Sequence, residues 1–510
     1  MKIKISLLTV AVCLTLLFSS ALQAQDTTSL KIIVTTDVHG HILPHDLLEN
    51  RARNHSLAHV YAYIQNERAN PNQEVILLDN GDLLQGDPFI YYYNFVDTAG
   101  VHALARVMNF MKYDAATVGN HDIEAGPTVY NKLTEQFNFP YLGANIVDES
   151  TAKPFFKPYT IIEKNNKKIA ILGLCTPSIP QWLPKELWQG LVFRDMVETA
   201  REWVRYINSN EKPDVLIGLF HSGGQETETS DGIPKYLEQA SRVIAQEVIE
   251  FDAVFTGHDH RQYNEFVPNA AQGYTLLLAG GTLGRGVAVA NISIIDDPEM
   301  QAVYKDIYGE LVDVTSLSPD QAFLSRFEEL LDPVKEYINQ PVTSLRDSLF
   351  SRDALFGSAD FVNIIHHIQL DISGADISFC APLSFDAVIP SGQINRGELF
   401  KLYRYENQLY TMNLSGKEVL AALEYSYGNW MNQMNSRNDN LLNFVRNDEG
   451  ELFLNTYGRL QTATPYFNYE SAAGIIYTVD VSKPAGGRVK IESMFNAVSY
   501  THLTLPTKRI

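Results

Sequence analysis

Ala115–Glu124 (AATVGNHDIE) sets a short apolar run directly against an amide, an imidazole and two carboxylates: Asn120, His121, Asp122 and Glu124 follow Gly119. Glycine lets a chain turn sharply where a buried strand ends. In an open α/β sheet, the crevice outside the carboxyl ends of the strands is where ligands bind. Side chains of these types delivered there suit metal-assisted acid–base chemistry. The same punctuation recurs along the chain. Leu30–Thr35 (LKIIVT) runs into Asp37 and His39, and Glu74–Leu78 (EVILL) into Asp82. Asp214–Phe220 (DVLIGLF) runs into His221, and Asp252–Thr256 (DAVFT) into His258 and His260. Strands of one sheet would bring all these ends to one rim. Imidazole and carboxylate donors suit Zn, Mn, Fe or Co, and the absence of cysteine argues against a structural zinc site. Two ions about 3.5–4 Å apart clamp the attacking and leaving oxygens of an in-line displacement. Such a pair needs a bridging carboxylate, for which Asp82 is the natural choice.

The elements that must position these residues alternate in type. Ser56–Glu67 and Val101–Met111 have helical character, while Lys168–Leu174 and Tyr274–Ala279 are further apolar strand runs. Strands alternating with helices indicate α/β layers. Near residue 300 the pattern changes. Ser318-Pro319-Asp320-Gln321 reads as a capping box with proline at the first helical position. Phe323, Phe327, Leu330, Leu331, Val334 and Ile338 then mark one helical face, with a kink expected at Pro333. This helix reads as a bridge to a second, α+β domain. There, helices are expected at Phe361–Gln369 and Lys417–Tyr427, and strands near Ile377–Cys380, Leu409–Leu414 and Gly474–Asp480. Gly486-Gly487 between Val481 and Val489 suggests a hairpin.

The chain has 510 residues, enough for two or three domains, and 45% hydrophobic residues, ordinary for a globular protein. Its formal charge of −20 disfavours binding to nucleic-acid polymers, which rests on basic surface. A small anionic substrate stays open, because bound divalent ions would dominate the local field. The first 25 residues read as a secretory signal, with Lys2 and Lys4 ahead of the apolar Ile5–Phe18 and small residues near Ala24. Cys13 lacks the small residues that precede a lipid-modified cysteine. Cys175 and Cys380 sit in separate apolar runs and are expected as buried free thiols rather than a disulfide. No other segment is long enough to span a membrane. At the far end, Val498–Thr507 (VSYTHLTLPT) matches the translation of a transposase adapter used in sequencing libraries. The expected organisation is therefore a signal at 1–25, a metal domain at 26–300 and a linker with the bridging helix at 301–344. A second, incomplete domain follows at 345–497, with an adapter-derived tail at 498–510.

Asp37-x-His39, Gly81-Asp82, Gly119-Asn120-His121, His221 and Gly257-His258-x-His260 together resemble the calcineurin-like metallophosphoesterases. TTDVHGH, DNGDLLQGDP and the second domain resemble its 5′-nucleotidase branch. APLSFDAVIPSGQI and LYRYENQLYTMNLSGKEVL are most similar to its 2′,3′-cyclic-nucleotide 2′-phosphodiesterase/3′-nucleotidase members. The resemblance spans Leu30 to Asp480. It implies a four-layer α/β/β/α metal domain followed by an α+β nucleotide-binding domain, with two divalent metal ions as cofactors. It further implies that Asp37, His39 and His260 hold one ion, that Asn120, His221 and His258 hold the other, and that Asp82 bridges them. Metal-activated water would attack phosphorus. His121 would stabilise the phosphoryl oxygens or the leaving group, oriented by Glu124. Two departures stand out: the family often has glutamine where His260 stands, and aspartate where Glu124 stands. His41 and His45 are expected beside the centre rather than in it, and Asp122 as a residue that turns the backbone.

In the second domain, the resemblance implies that Tyr405 of Tyr405-Glu406-Asn407 stacks a nucleobase, with Asn407 beside it. Nucleotidases preferring 5′-monophosphates carry an arginine-containing, glycine-rich loop where this chain has Ala381-Pro382-Leu383-Ser384-Phe385-Asp386. That moves the reading towards cyclic and 3′-nucleotides. The second aromatic of the base clamp would fall in the region taken by the tail. His366 and His367 are expected to face solvent. The resulting expectation is a secreted, periplasmic, monomeric hydrolase of small nucleotides. A 5′-nucleotidase or nucleotide-sugar hydrolase is the same-class alternative. A non-catalytic nucleotide-binding surface protein is the alternative of another class, and the intact ligand set argues against it.

Overall fold

The computed structural model describes residues 26–225, 238–297, 302–403, 405, 407–447, 449–454, 460–496, 499–503 and 508–509. The expected signal at 1–25 lies outside them. Two compact units divide the chain. Met1–His45, Ala52–Gln85 and Tyr93–Glu329 form the first; Asp46–Arg51, Gly86–Tyr92 and Leu330–Ile510 form the second.

Besides a small pair, Ile146–Asp148 with Leu191–Phe193, the first unit is built on two six-stranded sheets. In chain order their strands are β1 (Asp26–Thr35), β2 (Glu74–Asp79), β3 (Ala115–Thr117), β4 (Tyr141–Leu142), β5 (Tyr159–Lys164) and β6 (Lys167–Cys175). They continue with β7 (Val215–His221), β8 (Ala253–Thr256), β9 (Gln262–Pro268), β10 (Tyr274–Gly280), β11 (Gly286–Asp297) and β12 (Ala302–Asp313). The first sheet runs β12-β11-β1-β2-β3-β4 and the second β9-β10-β8-β7-β6-β5. β1 to β4 pair in parallel, as do β6, β7, β8 and β10. The antiparallel strands β12, β11, β9 and β5 lie outside these parallel sets.

Parallel strands buried on both faces read as continuous apolar runs, and period-two alternation divides their side chains between two cores. Leu30, Ile32 and Val34 of β1 and Ile76 and Leu78 of β2 meet Ile169, Ile171, Ile217, Leu219 and Phe255 of the second sheet. The alternate residues Ala170, Leu172, Leu174, Leu216, Phe220 and Val254 face outward. There they pack on α3 (Met196–Asn210) through Val197, Ala200 and Val204, and on α4 (Ser241–Glu247) through Ile244 and Ala245. Against the first sheet, α1 (Leu57–Arg68) packs on β2. α2 (Ala103–Met111) carries the buried apolar stripe Leu104, Val107, Met108 and Met111. The layers are α/β/β/α, as the resemblance implied. β12 pairs with β11 along twelve residues, so the first sheet extends to Asp313, beyond the change of pattern near residue 300.

The expected bridging helix is two helices. Asp320, not Ser318, is the N-cap: its carboxylate accepts from Phe323 N at 2.8 Å at the head of Gln321–Phe327. A 3₁₀ turn, Glu328–Leu330, separates it from Leu331–Ile338. Pro333 near the start of the second piece has no N–H to continue the ladder, which accounts for the interruption just before it. The two units divide at the same place, between Glu329 and Leu330.

The second unit is α+β. Asp360–Ser373 packs Phe361, Val362 and Ile365 into one apolar cluster, and Gly416–Trp430 packs Val419, Leu423, Tyr427 and Trp430 into another. Ser415 caps the latter helix in a reciprocal box with Glu418. The expected hairpin is present: Ile475–Val479 pairs antiparallel with Val489–Asn496, and Ser499–Leu503 of the expected tail pairs with the latter strand. Of the expected strand at Leu409–Leu414, only Asn413–Leu414 pairs. His367 is exposed but His366 is buried, which corrects the solvent-facing expectation. Its Nδ1 lies 2.9 Å from Ser378 Oγ and its Nε2 3.2 Å from Ser471 Oγ. Cys175 and Cys380 are free and buried. Among the described residues, no helix is long and apolar enough to cross a membrane.

Candidate metal centre

The seven candidate ligands converge at strand ends, but on two sheets rather than one. Asp37 and His39 follow β1, Asp82 follows β2 and Asn120 follows β3. His221 ends β7, and His258 and His260 follow β8. The two rims meet because the sheets share a core. Backbone hydrogen bonds extend the first rim past the strands, from Asp37 N to Gly81 O and from His39 N to Asp82 O, both 3.0 Å. Asp37, His39, Asp82, His258 and His260 all have φ between 48° and 71°. For non-glycine residues this left-handed region costs about 1–2 kcal/mol each. Such conformations persist where the surrounding structure over-determines them, and they cluster at functional sites.

Two glycines permit the close approach. A Cβ on Gly119 would stand 2.2 Å from Asp82 Oδ1, and one on Gly257 would stand 2.3 Å from Thr36 Oγ1 and 3.0 Å from Asp37 Oδ2. Asp122 does more than turn its own backbone. Its carboxylate accepts from Gly119 N at 2.8 Å, Leu83 N at 2.9 Å and Asp82 N at 3.1 Å, tying the loop after β3 to the loop after β2. Asp79, also fully buried, accepts from Thr35 Oγ1 at 2.6 Å and from Gly81 N at 2.9 Å.

The donor atoms fall into two groups with Asp82 in both: Asp37, His39, Asp82 and His260, and Asp82, His221 and His258. In the first, His39 Nδ1 donates to Gln85 O at 3.1 Å, which leaves Nε2 as the lone-pair nitrogen; it faces His260 Nε2 at 3.0 Å. His260 Nε2 is 3.5 Å from Asp37 Oδ1. In the second, His221 Nδ1 donates to Asn80 O at 2.6 Å and its Nε2 lies 3.2 Å from Asp82 Oδ2. Asn120 Oδ1 joins this group, 3.1 Å from His221 Nε2 and 2.8 Å from His258 Nδ1. Asp82 Oδ2 is buried without a hydrogen-bond partner. Closely spaced ligand-type nitrogens and oxygens and an orphaned buried carboxylate oxygen fit cations between them. All the donors are nitrogen or oxygen, as for Zn, Mn, Fe or Co.

Charge at the centre follows from burial against proximity. Burial alone would lower the imidazoles. At His221 the Asp82 carboxylate outweighs it, holding the ring up to about 10. At His121 Asp82 and Glu124 do the same, to about 9. At His39 burial wins, and the ring is pushed well below its usual value. His121 stands at the open side, 28% exposed. Its Nδ1 is hydrogen-bonded to Glu124, its Nε2 is 3.9 Å from Asp82 Oδ2, and its N–H donates to Asp82 Oδ1 at 2.9 Å. The longer arm of glutamate therefore reaches. Gln85 supports both partners: its carbonyl receives His39, and its amide donates to Glu124 Oε2 at 3.3 Å. Sequence reading passed over Gln85 and Asp79; their only signal was position, next to Asp82. His41 stacks on His55 with ring centroids 5.5 Å apart, outside both donor groups. Tyr405 and Asn407 lie in the second unit, where Asn407 Nδ2 donates to Tyr403 Oη at 3.2 Å; Glu406 lies outside the described residues.

Residues 30–262 match the family model for calcineurin-like phosphoesterases, and residues 341–501 match that for the 5′-nucleotidase C-terminal domain. The chain is a calcineurin-like metallophosphoesterase with a 5′-nucleotidase C-terminal domain. It is similar to the 2′,3′-cyclic-nucleotide 2′-phosphodiesterase/3′-nucleotidase of Salmonella typhimurium, 25% identical over 504 residues, with 90% of this chain and 75% of that protein covered. The Haemophilus influenzae protein of the same name is 25% identical over 511 residues, covering 89% and 73%. Among solved structures, a candidate 5′-nucleotidase from Staphylococcus aureus shares the fold with a TM-score of 0.74 at 23% identity, over 94% of this chain and 89% of that one. The two domains and the donor set make this metallophosphoesterase a metal-dependent phosphoric ester hydrolase.

Proposed function

We propose that this metallophosphoesterase opens 2′,3′-cyclic nucleotides to 3′-nucleotides and then releases phosphate from them, using two divalent ions that share Asp82. The observation that carries this reading is the one buried carboxylate common to two donor groups, with an orphaned oxygen between them. The similarity to the Salmonella and Haemophilus proteins supports the substrate class. Asp37, His39 and His260 would hold one ion, and Asn120, His221 and His258 the other. When bound, the ions supply Lewis-acid polarisation of the phosphoryl oxygens and an activated water nucleophile. The chain's own part falls to His121. Its Nδ1 is tied to Glu124, so Nε2 is the atom presented to the open side. There it donates to the oxygen on which negative charge develops, and protonates the leaving alkoxide. Cleavage of the cyclic ester keeps both oxygens on the ribose, so one site can serve both steps.

In the second domain, Tyr405 would stack the base, an interaction every base can make, with Asn407 beside it. The apolar start of the chain supports export to the periplasm, and we infer a monomer acting on small nucleotides rather than polymers. A substrate panel tests the function. Purified, metal-loaded protein is given 2′,3′-cyclic AMP, 3′-AMP, 5′-AMP and bis(p-nitrophenyl) phosphate. Turnover of the first two with the highest kcat/KM supports the proposal. A clear preference for 5′-AMP makes the chain a 5′-nucleotidase instead, and no turnover of any of the four leaves a binding protein.

A further inference from the structure

Two of the residues that hold His258, Trp182 and Glu238, belong to neither donor group. Trp182 ends the short helix Ile179–Trp182, which follows β6 on the rim of the second sheet. Its indole lies flat on the His258 ring, with centroids 5.5 Å apart and an interplanar angle of 18°. His221 meets the same imidazole edge-on, with centroids 5.4 Å apart and 67° between the planes. In the ring plane, Nδ1 faces Asn120 Oδ1 at 2.8 Å, and Nε2 faces Glu238 Oε1 at 3.2 Å. Glu238 is itself anchored to the end of β7: its carbonyl accepts from Ser222 Oγ at 2.7 Å, and Ser222 Oγ accepts from Ala240 N at 2.8 Å.

The geometry points to Glu238 and Trp182 as positioning residues that fix the tautomer and the plane of His258, so that Nδ1 is the nitrogen turned into the centre. The inference rests on the reading of His258 as a metal ligand. An imidazole whose Nε2–H is donated to a carboxylate keeps its lone pair on Nδ1. A carboxylate on the far nitrogen of a ligating histidine orients the ring and raises its basicity, and loss of such a partner costs 10–100-fold in metal affinity. A hydrogen bond in the ring plane resists tilting of that plane through χ1 and χ2 only weakly. The parallel indole restricts that tilt. The histidine side chain is 12% exposed and the glutamate side chain 48%. The polar anchor therefore sits at the rim, where its loss should leave the core packing of the unit intact.

Equilibrium dialysis against Mn²⁺, with bound metal counted by mass spectrometry, tests this on the full chain. Glu238→Ala and Trp182→Ala should each weaken one of two bound ions by about tenfold or more and leave the other unchanged. Glu238→Gln, whose amide oxygen can still accept the N–H, and Trp182→Phe, which keeps an aromatic face, should recover most of that loss. Merely structural roles would instead lower both affinities together or show no rescue. Trp182 is one of four tryptophans. Co²⁺ loading should quench part of the fluorescence of the parent, and Trp182→Phe should remove that part. If Trp182→Ala does not fold, Glu238→Ala carries the test. Asp82→Asn separates the two readings. If it loses metal while Glu238→Ala and Trp182→Ala bind both ions as the parent does, the positioning roles are overturned and the metal centre stands. If it keeps both ions, the centre itself is wrong and the inference falls with it.

Discussion

In the proposed mechanism, His121 carries the chemistry that the chain performs with its own atoms. Its ring is anchored by Glu124 through Nδ1, and its backbone N–H holds Asp82 Oδ1. Replacing the side chain keeps that backbone bond. His121→Ala should therefore lower kcat by roughly 10²–10³-fold, the scale of losing one donor to a developing negative charge, while bound metal stays at the parent's level. Steady-state kinetics on 2′,3′-cyclic AMP, paired with metal analysis, check it. Loss of metal in this variant would make the residue a ligand instead. Glu124→Gln keeps an acceptor for Nδ1 but removes the charge, so its kcat should fall less than that of His121→Ala. An equal fall would show that the histidine is inert without its carboxylate.

The elements act by approaching one another closely. Gly119 has φ of −96°, which alanine adopts freely, yet a Cβ there would meet Asp82 Oδ1 at 2.2 Å and Asp82 N at 2.4 Å. Gly119→Ala should displace Asp82, abolishing turnover and most metal binding; normal metal content would show that the two loops can separate without cost. Asp122→Asn leaves one oxygen to accept three backbone N–H groups. It should destabilise the first unit by about 1–3 kcal/mol, the cost of a buried group left unpaired, read as a shift in urea midpoint. These two positions also show what the sequence made legible. Strand ends such as Thr35, Thr117 and Thr256 could be read because β-branched runs stop at glycine and polar residues, and every candidate metal ligand closes or follows such an end. Asp122 read as a turn residue and Asp79 was passed over, since the groups that satisfy them, the Asp82 and Leu83 N–H groups and the Thr35 hydroxyl, lie about 40 residues away in the chain. His366 follows Val362 by four residues and so shares its helical face. That signal was present but outweighed by polarity; the Ser378 and Ser471 hydroxyls that satisfy the ring could not be foreseen. The five strand ends were expected on one sheet because apolar runs do not show which sheet a strand joins.

At the scale of the molecule, two compact units with separate cores should melt in two steps. All seven candidate ligands lie in the first unit, so a chelator should move only one calorimetric transition. Ions held at 1,000 times their Kd contribute about 4 kcal/mol of stability to the unit that binds them. A shift of both transitions would mean that the units do not unfold independently. With a formal charge of −20 over the whole chain, the proposed anionic substrate would be gathered through bound cations rather than a basic surface, so chelation should also abolish nucleotide hydrolysis. The most direct measurement is the metal stoichiometry and turnover of Asp82→Asn beside the parent. Two ions per chain in the parent, with loss of most metal and of 2′,3′-cyclic AMP hydrolysis in the variant, is the predicted result. A variant that keeps two ions and turns over at the parent's rate would contradict a centre built on one shared carboxylate.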